Sequence, residues 1–372
     1  MRLAQDMQKQ QEEAYYVASQ WQLIWWKFRK HRLAMIGAPV LGFFYFLAIF
    51  CEFLSPYTSL TRFPEYVDAP PQRVRLFGQI AEIGVRPFVY GLAPSRDPVT
   101  LARLYTPDKT RIVPLRFFVR GEPYKFWGLF RTNLHFFGGE GEPIFLMGTD
   151  PLGRDLLSRI VHGSRISLSI GLVGIFLTFL IGLTLGGISG YYGGVADTIV
   201  QRTIDELRSI PTLPLWMTLA AALPRNWTPT KTYFGIVVVL SVVGWTSLAR
   251  VVRGKFLSLR NEDFILAARL AGASEPRIIA RHLLPSFMSY IIVSVTLSIP
   301  NMILSETALS FIGLGLQPPV VSWGVLLQDA QHLRAMALHP WILIPCLFVI
   351  VTVLTFNFLG DGLRDAADPY GR

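Results

Sequence analysis

An uncharged run of 24 residues, Ile166–Ser189, constrains the fold of this chain more than any other feature. Coiled as a helix, an apolar stretch of 18 or more residues matches the thickness of a bilayer, and soluble cores rarely gather one. Five other stretches read the same way. Leu33–Leu54 carries one charge, Glu52, near its end. Another begins polar at about Asp197 and turns apolar from Ile210 to Leu223. The rest are Tyr233–Ala249, Phe287–Leu304 and Pro340–Leu359. Composition agrees, with 51% of the 372 residues hydrophobic and 16% charged. The first span is too long, too far from the start and too poorly followed by a cleavage site to be a signal peptide. Six retained spans are expected.

Lys and Arg in short connections set the orientation. Lys27, Arg29, Lys30 and Arg32 precede the first span, and Arg250, Arg253, Lys255, Arg260, Arg269, Arg277 and Arg281 lie between the fourth and fifth. The alternate connections hold only Arg225 and Lys231, or Arg334. Both termini are therefore expected in the cytosol. The net charge of +10 fits anchoring to anionic lipid plus a basic outside loop. No basic stripe accompanies a nucleic-acid motif, so no nucleic-acid partner is expected.

The chain divides unevenly. Residues 1–32 form a cytosolic tail ending in an interfacial helix, where Trp21, Trp25, Trp26 and Phe28 alternate with basic residues. Residues 33–54 are the first span. Residues 55–165 form an extracytoplasmic insertion holding 12 of the 25 prolines. It reads as a loop-rich module with strand-like pieces such as Arg111–Val119. Residues 166–360 are the membrane core of spans two to six, and 361–372 a cytosolic tail. Cys51 and Cys346 sit within spans, without metal spacing, and read as small core residues rather than a disulfide.

No phosphate loop, G-x-S-x-G or H-E-x-x-H motif is present. His31, His135, His162, His282, His332 and His339 are scattered and read as polar surface. Glu306, at the outer end of the fifth span, is a candidate because an intramembrane acid is functional by default. An ion-coupled secondary transporter would show inverted repeats and midplane charges; neither is evident.

The stretch Phe264–Pro285, FILAARLAGASEPRIIARHLLP, lies in the basic connection. Phe264–Ala271 is rich in Ala and Leu, strong helix formers. Gly272 suits a left-handed corner, Ser274 an N-cap, and Glu275 and Pro276 a first helical turn. A rigid, partly apolar helix–corner–helix on a cytosolic loop is expected to dock a partner protein.

This stretch resembles the EAA loop of ABC importer permeases. Ala267, Ala268, Gly272, Leu284 and Pro285 match, while Leu266 takes the Glu position. Met147–Leu168 (MGTDPLGRDLLSRIVHGSRISL), Gly190–Asp197 (GYYGGVAD) and Glu306–Gly324 (ETALSFIGLGLQPPVVSWG) narrow the resemblance to the C-type permeases of dipeptide, oligopeptide and nickel importers. Residues 56–145 exceed the loop typical of that family.

The resemblance implies an all-α polytopic protein with the type I importer permease fold, in a bacterial inner membrane. It implies a second homologous permease subunit, two ATP-binding subunits and an extracytoplasmic substrate-binding protein. ATP and Mg would be held by those ATP-binding subunits, so this chain is expected to be non-catalytic and to bind no cofactor directly. Coupling to the ATPase would fall on loop 254–285, through Asp263, Leu266, Ala267, Ala268, Arg269, Gly272, Ala273, Ser274, Arg277, Leu284 and Pro285. Glu306, Ser310, Gln317 and Trp323 are candidates for the pathway or its gate, with Trp323 offering a large contact surface. Gly182, Gly186, Gly187 and Gly190 would permit close helix approach; Pro211, Pro214 and Pro300 would permit bends. Peptides are the default cargo; nickel, glycosides and peptide-like antibiotics stay open, and no His/Cys cluster favours nickel.

Overall fold

The computed structural model describes residues 19–76, 86–96, 98, 103–224 and 226–367. Arg225, the side chains of Trp21 and Arg334, and the chain ends expected in the cytosol lie outside the described residues. The first helix, α1 (Gln20–Lys30), starts at a capping box in which Ser19 and Gln22 bond each other's backbone amides. His31 then caps α2 (Arg32–Ile49) by accepting from Ala34 N at 3.1 Å. A short turn, α3 (Cys51–Leu54), follows.

The insertion is not mainly loops. It is built on a three-stranded antiparallel sheet, β1 (Phe88–Arg96), β2 (Arg103–Phe126) and β3 (Phe130–Gly139), in that order. Two of the strand prolines sit where the ladder changes, while Pro94 and Pro107 lie within the β1–β2 pairing. Pro114 ends the pairing of β2 with β1, and Leu115 opens the pairing with β3. Pro123 falls in the register shift between Arg120 and Tyr124. A residue without an amide donor is tolerated at such bulges and handovers. Val89, Val113, Leu115 and Ile144 close a small core under the sheet.

The membrane core begins with α4 (Leu156–Tyr192), capped by Asp155 through Ser158 N at 2.8 Å. Ahead of it, Asp150 pairs with Arg154 at 2.6 Å and with Arg159. These three charges are buried together, which explains the polar content of the Met147–Leu168 block. Next come α5 (Gly194–Ser209), α6 (Thr212–Ala221) and α7 (Pro229–Leu259). The third expected span is therefore two helices. Ile210 precedes Pro211 and is forced to extended backbone, φ −90° and ψ 131°, which ends α5. The ten residues of α6 rise only about 15 Å. Among the described residues, five helices are long and apolar enough to cross a membrane, α2, α4, α7, α10 and the last helix with its lead-in. These last elements are α8 (Asp263–Leu270), α9 (Glu275–Ile278), α10 (Met288–Phe311), α11 (Trp323–Gln328), α12 (Leu333–Leu338) and α13 (Ile344–Ala367).

The most extensive helix pair is α4 with α7. Added Cβ atoms at Gly182, Gly186 and Gly190 would lie 3.0, 2.5 and 2.7 Å from the carbonyls of Trp245, Ala249 and Arg253. Glycine at every fourth position thus lets two backbones touch. Gly187 differs; its Cβ would meet Phe256 at an ordinary 3.6 Å. Pro300 lies inside α10, while Pro214 sits in the first turns of α6. Both cysteines are free, and Cys51 is buried.

Candidate functional site

The helix–corner–helix forms as the sequence suggests. Gly272 has φ +77°, with nothing within 4 Å of an added Cβ. Its amide bonds Arg269 O at 2.9 Å, and the Ala273 amide bonds Ala268 O at 3.0 Å. Together these form a Schellman cap, which satisfies the last carbonyls of α8 and fixes the corner. Ser274 takes the N-cap position of α9, but its hydroxyl makes no capping bond. Its carbonyl instead accepts from Ile278 N at 3.0 Å. The second helix is shorter than expected: after one turn it widens into a π-helical turn, Ile279–Leu283. Pro285 lacks the amide that would bond Arg281, and its ring crowds that turn, so the wider pitch relieves both.

The corner is fastened to the bundle. Ile265, Ile278 and Leu283 are enclosed with Tyr191, Val252, Phe256, Phe287 and Ile291, from the ends of α4, α7 and α10. Ala268, Ala273 and Leu284 pack against the same cluster. Arg269 lies over the Tyr191 ring at 5.6 Å, and Tyr192 donates to Glu275 at 3.0 Å. Arg253 donates to both carboxylate oxygens of Asp197, at 2.5 and 2.6 Å, tying α5 to α7 nearby. Asp263, Leu266, Ala267, Arg277 and Pro285 face outward. Leu270, an apolar side chain at the corner, is 91% exposed. The structure thus brings the expected coupling residues onto one knob, with a buried root and an exposed, partly apolar crest.

The expected pathway residues divide differently. Glu306, Ser310 and Trp323 are fully enclosed. Glu306 accepts from the hydroxyls of Ser310 and Ser322. Trp323 donates its indole N–H to Ile160 O at 3.1 Å and its amide to Ser167 Oγ at 3.0 Å. The two Trp323 bonds hold α11 against α4. Gln317 alone of the four is exposed. It borders a cavity of about 420 Å3 between Trp227, Thr232 and the Gly313–Val320 turn. His135, expected on the surface, is buried between Ser55 O at 2.6 Å and Glu122 O at 2.9 Å.

Sequence reasoning missed a polar face on α10. Tyr290, Ser294, Ser298 and Asn301 recur at helical spacing within an apolar span, and each is at least partly exposed. That spacing was the available signal. Tyr290, Ser294 and Ser298 line a second cavity, of about 250 Å3, together with Thr178 and Ser247.

A bundle of apolar helices of spanning length, with a stiff helix pair rooted in the ends of three of them, is the architecture of a multi-pass membrane protein. The family described as the binding-protein-dependent transport system inner membrane component matches residues 182–370, and this chain belongs to it, a permease subunit of an ABC importer. The N-terminal TM domain of oligopeptide transport permease C matches residues 19–71. The oligopeptide transport system permease protein OppC of Bacillus subtilis is 40% identical over 223 residues, covering 60% of this chain and 70% of that protein. The dipeptide transport system permease protein DppC of the same organism is 42% identical over 224 residues, covering 60% and 68%. An inward-facing MetNI methionine ABC transporter structure aligns with 57% of this chain and 97% of its own, at 20% identity and a TM-score of 0.44.

Proposed function

We infer that this chain forms half of a translocation pathway for peptides and couples it to an ATPase through residues 262–285. The observation that carries the coupling reading is the contrast between the buried root of the knob and the exposure of Leu270. An apolar crest on a rigid base suits a groove in a partner, and a base packed against three helices transmits displacement instead of absorbing it. The partners are a second permease subunit, two ATP-binding subunits that hold ATP and Mg, and an extracytoplasmic binding protein. This chain supplies no catalytic group of its own. The knob and both termini face the cytosol, as the Lys and Arg distribution supports. The insertion and the turn around Gln317 face outward and receive the loaded binding protein.

The pathway wall is assigned to Tyr290, Ser294, Ser298 and Asn301 in place of Glu306, Ser310 and Trp323. Exposed hydroxyl and amide groups in a span suit a wetted path better than hydrocarbon. They offer hydrogen bonds without charge, which suits a peptide backbone. Peptide cargo is also what the names of the OppC and DppC relatives suggest.

Leu270→Asp tests the coupling reading in the assembled importer. Loaded binding protein should stimulate ATP hydrolysis far less than in the parent, with the variant still present in the membrane at parental level. Full stimulation in this variant rejects Leu270 as the docking crest.

A further inference from the structure

The tip of the β2–β3 hairpin runs Tyr124–Thr132, YKFWGLFRT, and contains no acidic residue. Its apolar side chains are turned outward: Leu129 is 82% exposed, Phe130 57% and Trp127 50%. They are not isolated. Phe130 meets Phe126 with ring centroids 5.4 Å apart, Phe126 meets Phe50 at 6.1 Å, and Phe50 meets Phe46 at 4.9 Å. Phe46, Phe43 and Ile36 continue this exposed stripe down one face of α2. The tip is also fixed in height. Trp127 donates its indole N–H to the carbonyl of Ile49, the last residue of α2, at 3.0 Å, and Arg165 lies over its ring at 4.3 Å. The hairpin therefore ends level with the end of an apolar span. Beside the aromatics, Lys125 and Arg131 stand opposite each other in register, both exposed.

We propose that this hairpin tip is a lipid anchor, with Leu129 and Phe130 in the acyl–headgroup boundary and Lys125 and Arg131 on anionic headgroup phosphates. Trp, Phe and basic residues together at the end of a span are the composition of a membrane interface. The stripe is continuous with the outer face of α2, which a bilayer already covers if that helix spans it. What favours lipid over a protein partner is this continuity with the spanning helix, together with a tip that has no acid to pair a mixed-charge protein surface. The anchor would hold the sheet down against the membrane, with the rest of the insertion raised on it. It requires only that α2 crosses the bilayer, and is independent of which partner couples to the knob.

The test places a nitroxide on the full importer in lipid nanodiscs, through Leu129→Cys in a Cys51→Ala/Cys346→Ala background. Ser95→Cys, exposed on β1, serves as the control, and Phe130→Cys replaces the first site should Leu129→Cys not assemble. The label at the tip is expected to favour oxygen over a water-soluble nickel complex as its relaxation partner, reversing the order at Ser95. Replacing phosphatidylglycerol by phosphatidylcholine should shift the label toward water, and Lys125→Gln/Arg131→Gln should abolish that shift. Nickel access equal to that at Ser95 overturns the proposal. So does a label shielded from both reagents, which would mean contact with another protein chain. A depth identical in both lipids overturns the headgroup contact.

Discussion

Glu306, on α10, accepts a hydrogen bond from Ser322 Oγ at 2.7 Å, and that bond closes the loop leading to α11. Ser310 Oγ donates to the same carboxylate oxygen at 2.7 Å. Each hydroxyl in turn accepts from the backbone, Ser310 from Leu316 N and Ser322 from Val325 N. The buried acid is thus the hub of a loop closure.

Glu306→Ala should strand both hydroxyls, at about 1–3 kcal/mol for each buried group left unsatisfied. Glu306→Gln keeps a carbonyl acceptor at the hub and should cost less. Thermal unfolding of the purified chain in detergent checks this order. Uptake of cationic and neutral peptides should fall together in the Ala variant. Selective loss of cationic peptides would return Glu306 to the pathway.

Gly272→Val should strain the corner, because a left-handed backbone costs a residue with a Cβ roughly 1–2 kcal/mol and a β-branched one more. Space is not the obstacle, since nothing lies near an added Cβ. Gly272→Asn should therefore retain most coupling, because Asn tolerates this conformation. Binding-protein-stimulated ATP hydrolysis and transport should both fall with Val. Equal activity of the Val and Asn variants would show that the corner's shape does not matter.

Much of this fold is legible in the sequence, and the exceptions share a cause. Apolar length marks five of the spans because a bilayer imposes it locally, and Gly272 marks a corner because only a left-handed backbone calls for it there. The broken third span was hinted at by Pro211. The sheet is hidden because its prolines read as loop signals, while pairing is a property of two strands. The burial of Trp323 is hidden for a related reason. The partners that bury Trp323, Ile160 and Ser167, are 163 and 156 residues away in the chain. Local pattern cannot report a contact of that range.

Gly186→Ala should separate α4 from α7, because its Cβ would lie 2.5 Å from Ala249 O, and neither backbone can retreat without moving the helix. Overpacking of this kind costs about 1–3 kcal/mol. Gly187→Ala, with its nearest contact at 3.6 Å, should be neutral or slightly stabilising. The two neighbours form an internal control in one unfolding experiment. A Gly186→Ala protein as stable as Gly187→Ala would show that the helices have room to part.

The orientation makes a sharper claim. In a background of Cys51→Ala and Cys346→Ala, cysteines are introduced one at a time at Ser258, near the knob, and at Ser95, on the sheet. Both positions are exposed, so access to each depends on which side of the membrane it occupies. An impermeant thiol reagent added outside sealed spheroplasts should label Ser95→Cys and spare Ser258→Cys. Permeabilising the membrane should then expose Ser258→Cys, which excludes burial against a partner as the cause of protection. The expectation rests on seven Arg and Lys residues between Arg250 and Arg281, against the few in the alternate connections. Labelling of Ser258→Cys in sealed cells, with Ser95→Cys protected, would invert the protein and put the knob out of reach of any cytosolic ATPase.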